Sequence, residues 1–213
     1  MEILYFDKID STQKYLANLV REGLNKEIAI VAKEQTAGVG SRNSSWISNR
    51  DDLIFSFSIK KNNIAKDLML QSASIYFAYL FKEILHEFDN ECWLKWPNDI
   101  YKKNKKVGGV VTQLIKDYFI VGIGLNLQKR EDQFGFVERE INVEKMLNSY
   151  FMLLKNSQTW QEVFKKFRVE FEKQKLLKVH IKGELKTLKN AILCDDGALL
   201  INNERIYSLR WVK

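Results

Sequence analysis

Two apolar runs lie almost end to end in the sequence: "KVGGVVTQLI" (106–115) and "YFIVGIGLNL" (118–127), with only Lys116 and Asp117 between them. A two-residue connection between strand-like runs predicts an antiparallel β-hairpin. The chain is therefore expected to be organised around a β-sheet that contains this hairpin.

Both strands of the predicted hairpin carry glycines, Gly108 and Gly109 in the first and Gly122 and Gly124 in the second. Glycine weakens a strand unless a ligand or another backbone must come close. Glycines on two paired strands indicate a surface where a flat ligand lies on the backbone. Bulges in a twisted sheet remain an alternative explanation.

The remaining pattern is that of an α+β protein with a mixed or antiparallel sheet. Ser11 and Thr12 offer an N-cap for a first helix that ends at Gly23. The order of elements lacks the regular βαβ alternation of a doubly wound fold. Further strands are expected at 3–6, 28–35, 52–59 and 91–96, and further helices at 65–88, 143–155 and 158–174.

The last part of the chain has a different character. From about Leu176 the pattern changes to short strands, with turn signals at 195–197 and 202–203. We therefore expect a large domain over residues 1–175 and a small β domain over residues 176–213.

Charge and composition restrict the function classes only loosely. The net charge is +7, from 34 Lys and Arg against 27 Asp and Glu. This balance suits a nucleic-acid or an acidic protein partner, but the charge is spread along the chain, so a solvated surface is the favoured explanation. The sequence shows no signal peptide and no apolar run of the roughly 18–20 residues that a membrane span needs, which predicts a cytoplasmic protein without membrane contact.

Cysteine and histidine are too scarce for a metal centre of the zinc type. Cys92 and Cys194 are far apart and form no C-x-x-C motif, which predicts structural thiols in a reducing compartment. The only histidines are His86 and His180, so a zinc site is not expected.

Two further stretches are candidates for chemistry. The loop "TAGVGSR" (36–42) carries two glycines whose backbone amides are able to cradle an anion, although the spacing is neither that of a Rossmann motif nor that of a P-loop. The stretch "KWPND" (95–99) holds the single proline of the chain, Pro97. Proline favours an extended conformation at Trp96, so it should end the strand there and fix the direction of the two polar residues that follow. A flexible loop and a plain strand-end turn are the respective alternatives.

Five motifs occur in one order along the chain: "DSTQ" (10–13), "EQTAGVGSR" (34–42) followed by Trp46, "KWPND" (95–99), "KVGG" (106–109) and "GIGLN" (122–126). From about residue 8 to 127, their order and spacing resemble those of the biotin protein ligases. More weakly, the tail over 176–213 resembles the small C-terminal SH3-like barrel of that family. The resemblance implies a catalytic domain of the class II synthetase-like biotin/lipoate ligase type over residues 1–175.

The resemblance also implies functions for individual residues. Lys106 matches the lysine that reaches the biotin carboxylate and the α-phosphate, where a cation offsets developing negative charge. Asn98, Asp99 and Arg42 are the other expected catalytic residues, and Asn98 and Asp99 are the candidate Mg²⁺ ligands. The uncharged biotin head needs neutral donors and acceptors, because a buried unpaired charge is costly. The expected binding residues are Ser11, Thr12, Gln13, Gln35, Gly38, Val39, Gly40, Ser41, Trp46, Lys106, Gly108, Gly109, Gly122 and Asn126.

The implied activity is ATP-dependent biotin–protein ligation through biotinyl-5′-adenylate. The substrates are biotin and ATP with Mg²⁺, and the acceptor is a lysine of the biotin carboxyl carrier protein of acetyl-CoA carboxylase. A homodimer is possible. Two alternatives stay open: a lipoate–protein ligase, and a non-catalytic nucleic-acid-binding module.

The chain departs from the family pattern in two places. Val39, Ser41 and Ser44 stand where the glycine loop usually carries arginines, which leaves Arg42. We therefore expect the adenylate to be held less tightly than is usual in the family. The first motif begins at residue 10, so an N-terminal winged helix and DNA binding are not expected.

Overall fold

A computed structural model of the chain describes most of its length, and for residues 178–181 and 184–186 it describes the backbone alone. The described residues are 1–41, 44–130, 132–138, 141–156, 158–181 and 184–207.

The described ranges contain a large sheet, a set of helices and a group of short C-terminal strands. The helices are α1 (Thr12–Arg21), α2 (Ala73–Leu85), α3 (Val143–Lys155) and α4 (Trp160–Glu172). The strands are β1 (Glu2–Phe6), β2 (Ile28–Ala32), β3 (Leu53–Lys60), β4 (Cys92–Lys95), β5 (Asp99–Lys102), β6 (Lys105–Ile115), β7 (Tyr118–Leu125), β8 (Lys178–Ile181), β9 (Glu184–Thr187), β10 (Ile192–Leu193), β11 (Leu199–Ile201) and β12 (Glu204–Ile206).

The central sheet has seven strands in the order β1-β2-β3-β7-β6-β5-β4. β1 and β2 are parallel, and every other neighbouring pair in this sheet is antiparallel. The predicted mixed sheet and α+β class are therefore confirmed. The predicted hairpin is β6 and β7, and Lys116 in its turn has a positive φ of 53°.

Helices cover the two faces of this sheet unequally. On one face, α2, α3 and α4 enclose the main core, where Phe55, Phe57 and Phe77 are fully buried. Burial of each such side chain contributes about 1.5–3 kcal/mol. On the other face, α1 is the one helix of the described ranges that packs, through a small cluster that includes Leu16 and Ile120. One short helix leaves part of this second face free for a cavity.

The first helix begins and ends where the sequence predicts. The Ser11 hydroxyl caps α1 by accepting a hydrogen bond from the Lys14 amide at 3.3 Å. Gly23 follows the helix with a φ of 111°, a conformation that side chains rarely adopt. α3 occupies the predicted range 143–155, and α4 begins after a capping box formed by Thr159 and Glu162.

The predicted helix over 65–88 is too long. α2 begins only at Ala73, after a 3₁₀ turn over residues 70–72. The apolar pattern before it is real, since Ala65 and Leu68 are buried, but this segment is not helical. The Asp67 carboxylate caps another helix, because it accepts hydrogen bonds from two backbone amides in the first turn of α4.

The strand predictions need smaller corrections. The strand expected over 28–35 ends at Ala32, and the four-residue strand β5 has no counterpart among the predictions. β5 pairs with both β4 and β6 immediately after the turn that holds Pro97. A strand this short has too little periodicity to be recognised.

Two side chains from the α4 region fix the strand that leads into this turn. Glu170 accepts a hydrogen bond from the Leu94 amide at 2.5 Å. Gln174 accepts from the Trp96 amide at 2.8 Å and donates to the Leu94 carbonyl at 2.5 Å. The outer edge of β4 is thereby satisfied by side chains instead of by another strand.

The C-terminal strands form a two-stranded and a three-stranded antiparallel sheet. The predicted turns are confirmed, since Gly197, Asn202 and Asn203 all have positive φ. Three consecutive carbonyls of residues 195–197 accept hydrogen bonds from Trp160 Nε1, Ser72 Oγ and Trp96 Nε1 at 2.7–2.9 Å. The domain boundary at 175 and the barrel stay predictions.

The cysteines fit the expected structural thiols. Cys92 and Cys194 are both free, and burial raises the pKa of the Cys92 thiol to about 12, which keeps it protonated and unreactive. Over the ranges given above, none of the helices combines the length and the apolar character that crossing a bilayer requires.

Candidate active site

A cavity of about 300 Å³ lies on the sheet face that α1 covers only in part. Its floor comes from β3, β7 and β6, and residues 39–41 and 44–47 form one wall. This volume is at the lower end of the range for small-molecule sites. The predicted site residues that line it are Thr12, Gln13, Gln35, Val39, Gly40, Ser41, Trp46, Asn98, Asp99, Lys106, Gly109, Gly122 and Asn126.

The register of the sheet explains why the floor is open. Ser56 on β3 pairs with Gly122 on β7, which pairs with Val111 on β6. The next row on the same face pairs Ile54 with Gly124 and then with Gly109. Small side chains in these rows leave room above the backbone, as the paired glycines predict.

At one end of the cavity, neutral side chains form a hydrogen-bonded group. The Thr12 amide and hydroxyl both donate to Gln35 Oε1, at 2.8 and 3.1 Å. The Thr12 hydroxyl also lies 2.8 Å from the Ser56 hydroxyl, which is fully buried. This end therefore presents hydroxyl and amide groups without a formal charge.

Two buried polar atoms at the cavity have no hydrogen-bond partner within the described part of the chain. They are the acceptor Gln13 Oε1 and the donor Trp46 Nε1. The other amide atom of Gln13 donates to the Ile120 carbonyl at 3.1 Å, which fixes the direction of the free oxygen. Unpaired buried polar atoms are costly, so a ligand that supplies both partners is favoured here.

At two positions of β7, neighbouring side chains leave no room for a Cβ atom, so glycine is required. A Cβ on Gly122 would lie 2.6 Å from Gln13 Oε1 and 3.0 Å from Val111 Cγ2. A Cβ on Gly124 would overlap the indole ring of Trp46, which packs flat over that position. Close approach of side chains that line the cavity therefore explains Gly122 and Gly124, whereas Gly108 lies beside a register shift between β5 and β6.

Lys106 is the cation in the middle of the cavity. Its Nζ lies 2.5 Å from Asp99 Oδ1 and 5.8 Å from the centre of the Trp46 ring, and about a quarter of its side chain is exposed. Asp99 pairs with Gly109 across β5 and β6, so the ion pair stands on the floor beside the glycines. A carboxylate and a cation in this position are able to handle a negatively charged substrate and an incoming amine.

The turn after β4 contains a cis peptide bond between Trp96 and Pro97. The strand ends at Lys95, as the proline predicts. Asn98 is nearly buried, and its amide donates to the Val110 carbonyl at 2.5 Å.

The turn offers two candidate side-chain ligands for magnesium, the Asn98 amide and the Asp99 carboxylate. The Asp99 carboxylate is paired with Lys106, and Asn98 donates to the Val110 carbonyl through its amide nitrogen, which leaves the side-chain oxygen of Asn98 outside this hydrogen bond. Throughout the described ranges, no three His, Cys, Asp or Glu side chains are grouped to hold a metal ion. The magnesium role of Asn98 and Asp99 stays a prediction that these contacts do not support.

Some predicted residues lie outside the cavity wall. Ser11 is fully buried as the helix cap, and Gly108 packs against β7. Gly38 lines a neighbouring pocket that shares Gln35 and Trp46 with the cavity. Arg42 lies outside the described residues. The amide of Gly40 donates to the Ser44 carbonyl at 2.7 Å, so it is not directed at a bound anion.

The sequence interpretation missed a second polar group at the opposite end of the cavity from Thr12. Arg130, Asp132 and Phe134 line this end, and Arg130 donates to Asp132 at 2.9 Å. This hydrogen bond lowers the pKa of the Asp132 carboxyl. Ser56 was also missed, although a serine between two phenylalanines of an alternating strand indicates a change of environment on that face.

Comparison with known proteins places these features in context. The sequence model that describes the biotin/lipoate A/B protein ligase family matches residues 5–127 of this chain. The biotin acetyl coenzyme A carboxylase synthetase of Helicobacter pylori, solved with bound biotinylated ATP, is similar at 33% identity and a TM-score of 0.91, covering 97% of this chain and 99% of that one. The biotin protein ligase of Aquifex aeolicus in complex with biotin and ATP is similar at 26% identity and a TM-score of 0.69, covering 98% and 96%.

A curated relative gives a shorter match. The bifunctional ligase/repressor BirA of Bacillus spizizenii is 28% identical over 137 residues, which are 62% of this chain and 42% of that protein. The chain spans about two fifths of the length of the curated bifunctional relatives it matches.

Proposed function

The chain belongs to the biotin/lipoate A/B protein ligase family, and on that premise we propose that it is an ATP-dependent biotin–protein ligase. It activates biotin as biotinyl-5′-adenylate and transfers the biotinyl group to a lysine of a carrier protein. The observation that carries this proposal is the cavity itself. A neutral hydrogen-bonding group with one unpaired acceptor lies at one end, and the cation Lys106 lies in the middle.

The head of biotin fits the neutral end. Its cyclic urea carries two N–H donors and one carbonyl acceptor, which match the free Gln13 Oε1 and the hydroxyls of Thr12 and Ser56. A polar ligand without charge is favoured here, because desolvating an unpaired charge would cost several kcal/mol. The valerate tail then runs from Gly122 past the Trp46 ring, which covers Gly124, toward Lys106.

Two reaction steps follow from this placement. In the first, a carboxylate oxygen of biotin attacks the α-phosphorus of ATP and pyrophosphate leaves. Lys106 binds both anions and offsets their mutual repulsion. In the second, a lysine amine attacks the carbonyl carbon of the mixed anhydride and AMP leaves. Asp99, already paired with Lys106, is the group placed to orient that amine.

Magnesium enters the proposal as part of the substrate Mg-ATP. Mg²⁺ is usually held by one or two carboxylates together with substrate phosphates. Asp99 is the nearest described carboxylate to Lys106, and it is engaged in the ion pair. The ion therefore supplies charge neutralisation on the phosphates, and the chain contributes Lys106.

The proposed acceptor is the biotin carboxyl carrier protein of acetyl-CoA carboxylase. The similar protein from Helicobacter pylori is a biotin acetyl coenzyme A carboxylase synthetase, which supports this choice. The net charge of +7 suits an acidic carrier domain. A cytoplasmic location, the absence of DNA binding and a homodimer remain expectations from the sequence.

Neither alternative is favoured by the cavity. The dithiolane ring of lipoate has no N–H donor to offer to Gln13 Oε1 and would leave that buried acceptor unpaired. A non-catalytic nucleic-acid-binding module would leave the cavity and its central ion pair without a function.

The test is calorimetry of the purified protein with biotin and with lipoate, followed by biotin-dependent exchange of pyrophosphate into ATP. We expect biotin to bind, lipoate not to compete, and exchange to require both biotin and magnesium. A protein that fails to bind biotin at millimolar concentration would rule the proposal out.

A further inference from the structure

A buried ion pair between Asp52 and Arg130 lies at the end of the cavity opposite Thr12. The Asp52 side chain is fully buried, and only 4% of the Arg130 side chain is exposed. Their nearest oxygen and nitrogen are 3.4 Å apart. Burying two charges costs several kcal/mol each before their attraction is counted, so such a pair is weak as a device for stability alone.

Asp52 joins two separate segments of the chain. Its Oδ1 accepts hydrogen bonds from the Leu127 and Gln128 amides at 2.9 and 3.1 Å, and its Oδ2 accepts from the Asn49 amide at 2.7 Å. The segment that follows Trp46 is thereby tied to the segment that follows β7. Both segments contribute walls to the cavity.

Arg130 extends this connection into the cavity wall. Its guanidinium donates to the Ile47 carbonyl at 3.4 Å and to Asn126 Oδ1 at 3.3 Å. It also donates to Asp132 and lies 5.7 Å from the centre of the Phe134 ring. One side chain therefore fixes a backbone carbonyl beside Trp46 and three side chains of the facing segment.

The position of this group along the sheet indicates which part of a ligand it serves. Gly122, Gly124 and Asn126 follow one another at every second residue of one strand and its extension. Gly122 lies beside the neutral end and Gly124 beside Trp46, while Asn126 contacts Arg130. At about 3.3 Å per residue, Asn126 lies roughly 13 Å beyond Gly122.

The positions of the cations also favour the Arg130 end of the cavity for the nucleotide. Among the described residues of the cavity wall, the cations are Lys106, which is paired with Asp99, and Arg130, which is paired with Asp52 and Asp132. Three positions of the glycine loop carry Val39, Ser41 and Ser44 in place of basic residues. A nucleotide attached at Lys106 has to extend away from the biotin head, and therefore toward Arg130.

We infer that Arg130, held by Asp52, is a positioning residue for the nucleotide half of the adenylate. It keeps the segment after Trp46 and the segment that carries Phe134 at a fixed separation, so that the nucleotide binds between preformed walls. The inference rests on the proposed function and deepens it. Arg130 acts mainly through its neighbours, so no chemical step depends on it.

The experiment compares R130Q, R130K and D52N with R50Q as the matched control. Arg50 lies in the same segment as Asp52 but forms an exposed ion pair with Asp7 outside the cavity. Biotin affinity without ATP is measured by calorimetry, and KM for ATP by biotin-dependent pyrophosphate exchange. We expect R130Q to raise KM for ATP by about tenfold or more, and to change the biotin Kd by less than about twofold.

The other variants separate positioning from folding. R130K should recover part of the loss, because lysine keeps the charge but lacks the planar fork. D52N should shift KM for ATP in the same direction as R130Q, and R50Q should match the wild type.

Two results would overturn the inference alone, and a third would overturn the proposed function together with it. If R130Q and R50Q have the same KM for ATP, Arg130 has no positioning role. If R130Q and R130K both lose biotin and ATP affinity in equal measure, the pair serves folding alone. If the wild type itself catalyses no exchange, the proposed function fails and the inference falls with it.

Discussion

Replacing Gly122 with alanine should separate stability from ligand binding. The added Cβ would lie 2.6 Å from Gln13 Oε1, so the amide of Gln13 has to move. That movement breaks its hydrogen bond to the Ile120 carbonyl, which is worth about 0.5–1.5 kcal/mol. Removing a glycine from a strand returns about 0.5–1 kcal/mol. The free energy of unfolding should therefore change by less than about 1 kcal/mol.

The loss of biotin affinity, in contrast, is not offset by the removal of a glycine from the strand. The displaced Gln13 oxygen no longer meets an N–H of the biotin ring, and loss of a hydrogen bond to a buried group costs about 1–3 kcal/mol. The biotin Kd should therefore rise between about fivefold and 150-fold. Calorimetry gives the Kd, and thermal unfolding without ligand gives the stability.

Gly109→Ala provides the matched comparison. A Cβ on Gly109 would meet no atom nearer than 3.5 Å, which is ordinary contact. Because Gly109 lines the cavity beside Gly124, this variant tests the tail of the ligand without moving Gln13, and it should lose less biotin affinity than Gly122→Ala. If Gly122→Ala bound biotin as tightly as Gly109→Ala, the proposed position of the biotin head beside Gln13 would be wrong.

Three other predictions concern the two reaction steps. Lys106→Ala should slow adenylate formation by at least about 100-fold, because the charge that offsets the two anions is lost; an unchanged rate in single-turnover assays would remove Lys106 from the mechanism. Biotinyl-adenylate should leave the wild type quickly, because the glycine loop lacks an arginine contact to the phosphate. Ser41→Arg should restore such a contact and slow the release measured in filter-binding assays. Slow release from the wild type would contradict the prediction. Raising the salt from about 50 to 500 mM should slow transfer to an acidic carrier far more than pyrophosphate exchange, because screening acts on the encounter of two charged surfaces; equal effects on both steps would exclude an electrostatic encounter.

Local signals in the sequence predicted the parts of the fold that local physics decides. The cap at Ser11, the turn at Gly23 and the hairpin turn at Lys116 all lie where the residue types place them. The same holds for the full length of α3. The helix over 65–88 was predicted too long, and in its non-helical first part Asp67 binds the first turn of α4, a contact across 93 residues that no local pattern indicates.

The candidate site also contains residues that local sequence patterns reveal and residues that depend on distant contacts. Thr12, Gln35 and Lys106 were recognisable because each belongs to a motif, and they meet in one cavity. Arg130 belongs to no motif, and its partner Asp52 lies 78 residues earlier in the sequence. Contacts of this range are created by the register of β3 and β7, which single-sequence patterns do not give.

The turn over 195–197 has a consequence for how the molecule comes apart. Its carbonyls are the hydrogen-bond partners of the indole nitrogens of Trp96 and Trp160 and of the Ser72 hydroxyl. Displacing the turn would leave these three donors without acceptors, at a cost of about 1–3 kcal/mol each. Together this is a large share of the free energy of unfolding of a typical domain, about 5–15 kcal/mol. The C-terminal strands and the central sheet should therefore melt in a single cooperative transition, and a chain cut near residue 190 would lose the support of the very turn that carries Asn98 and Asp99.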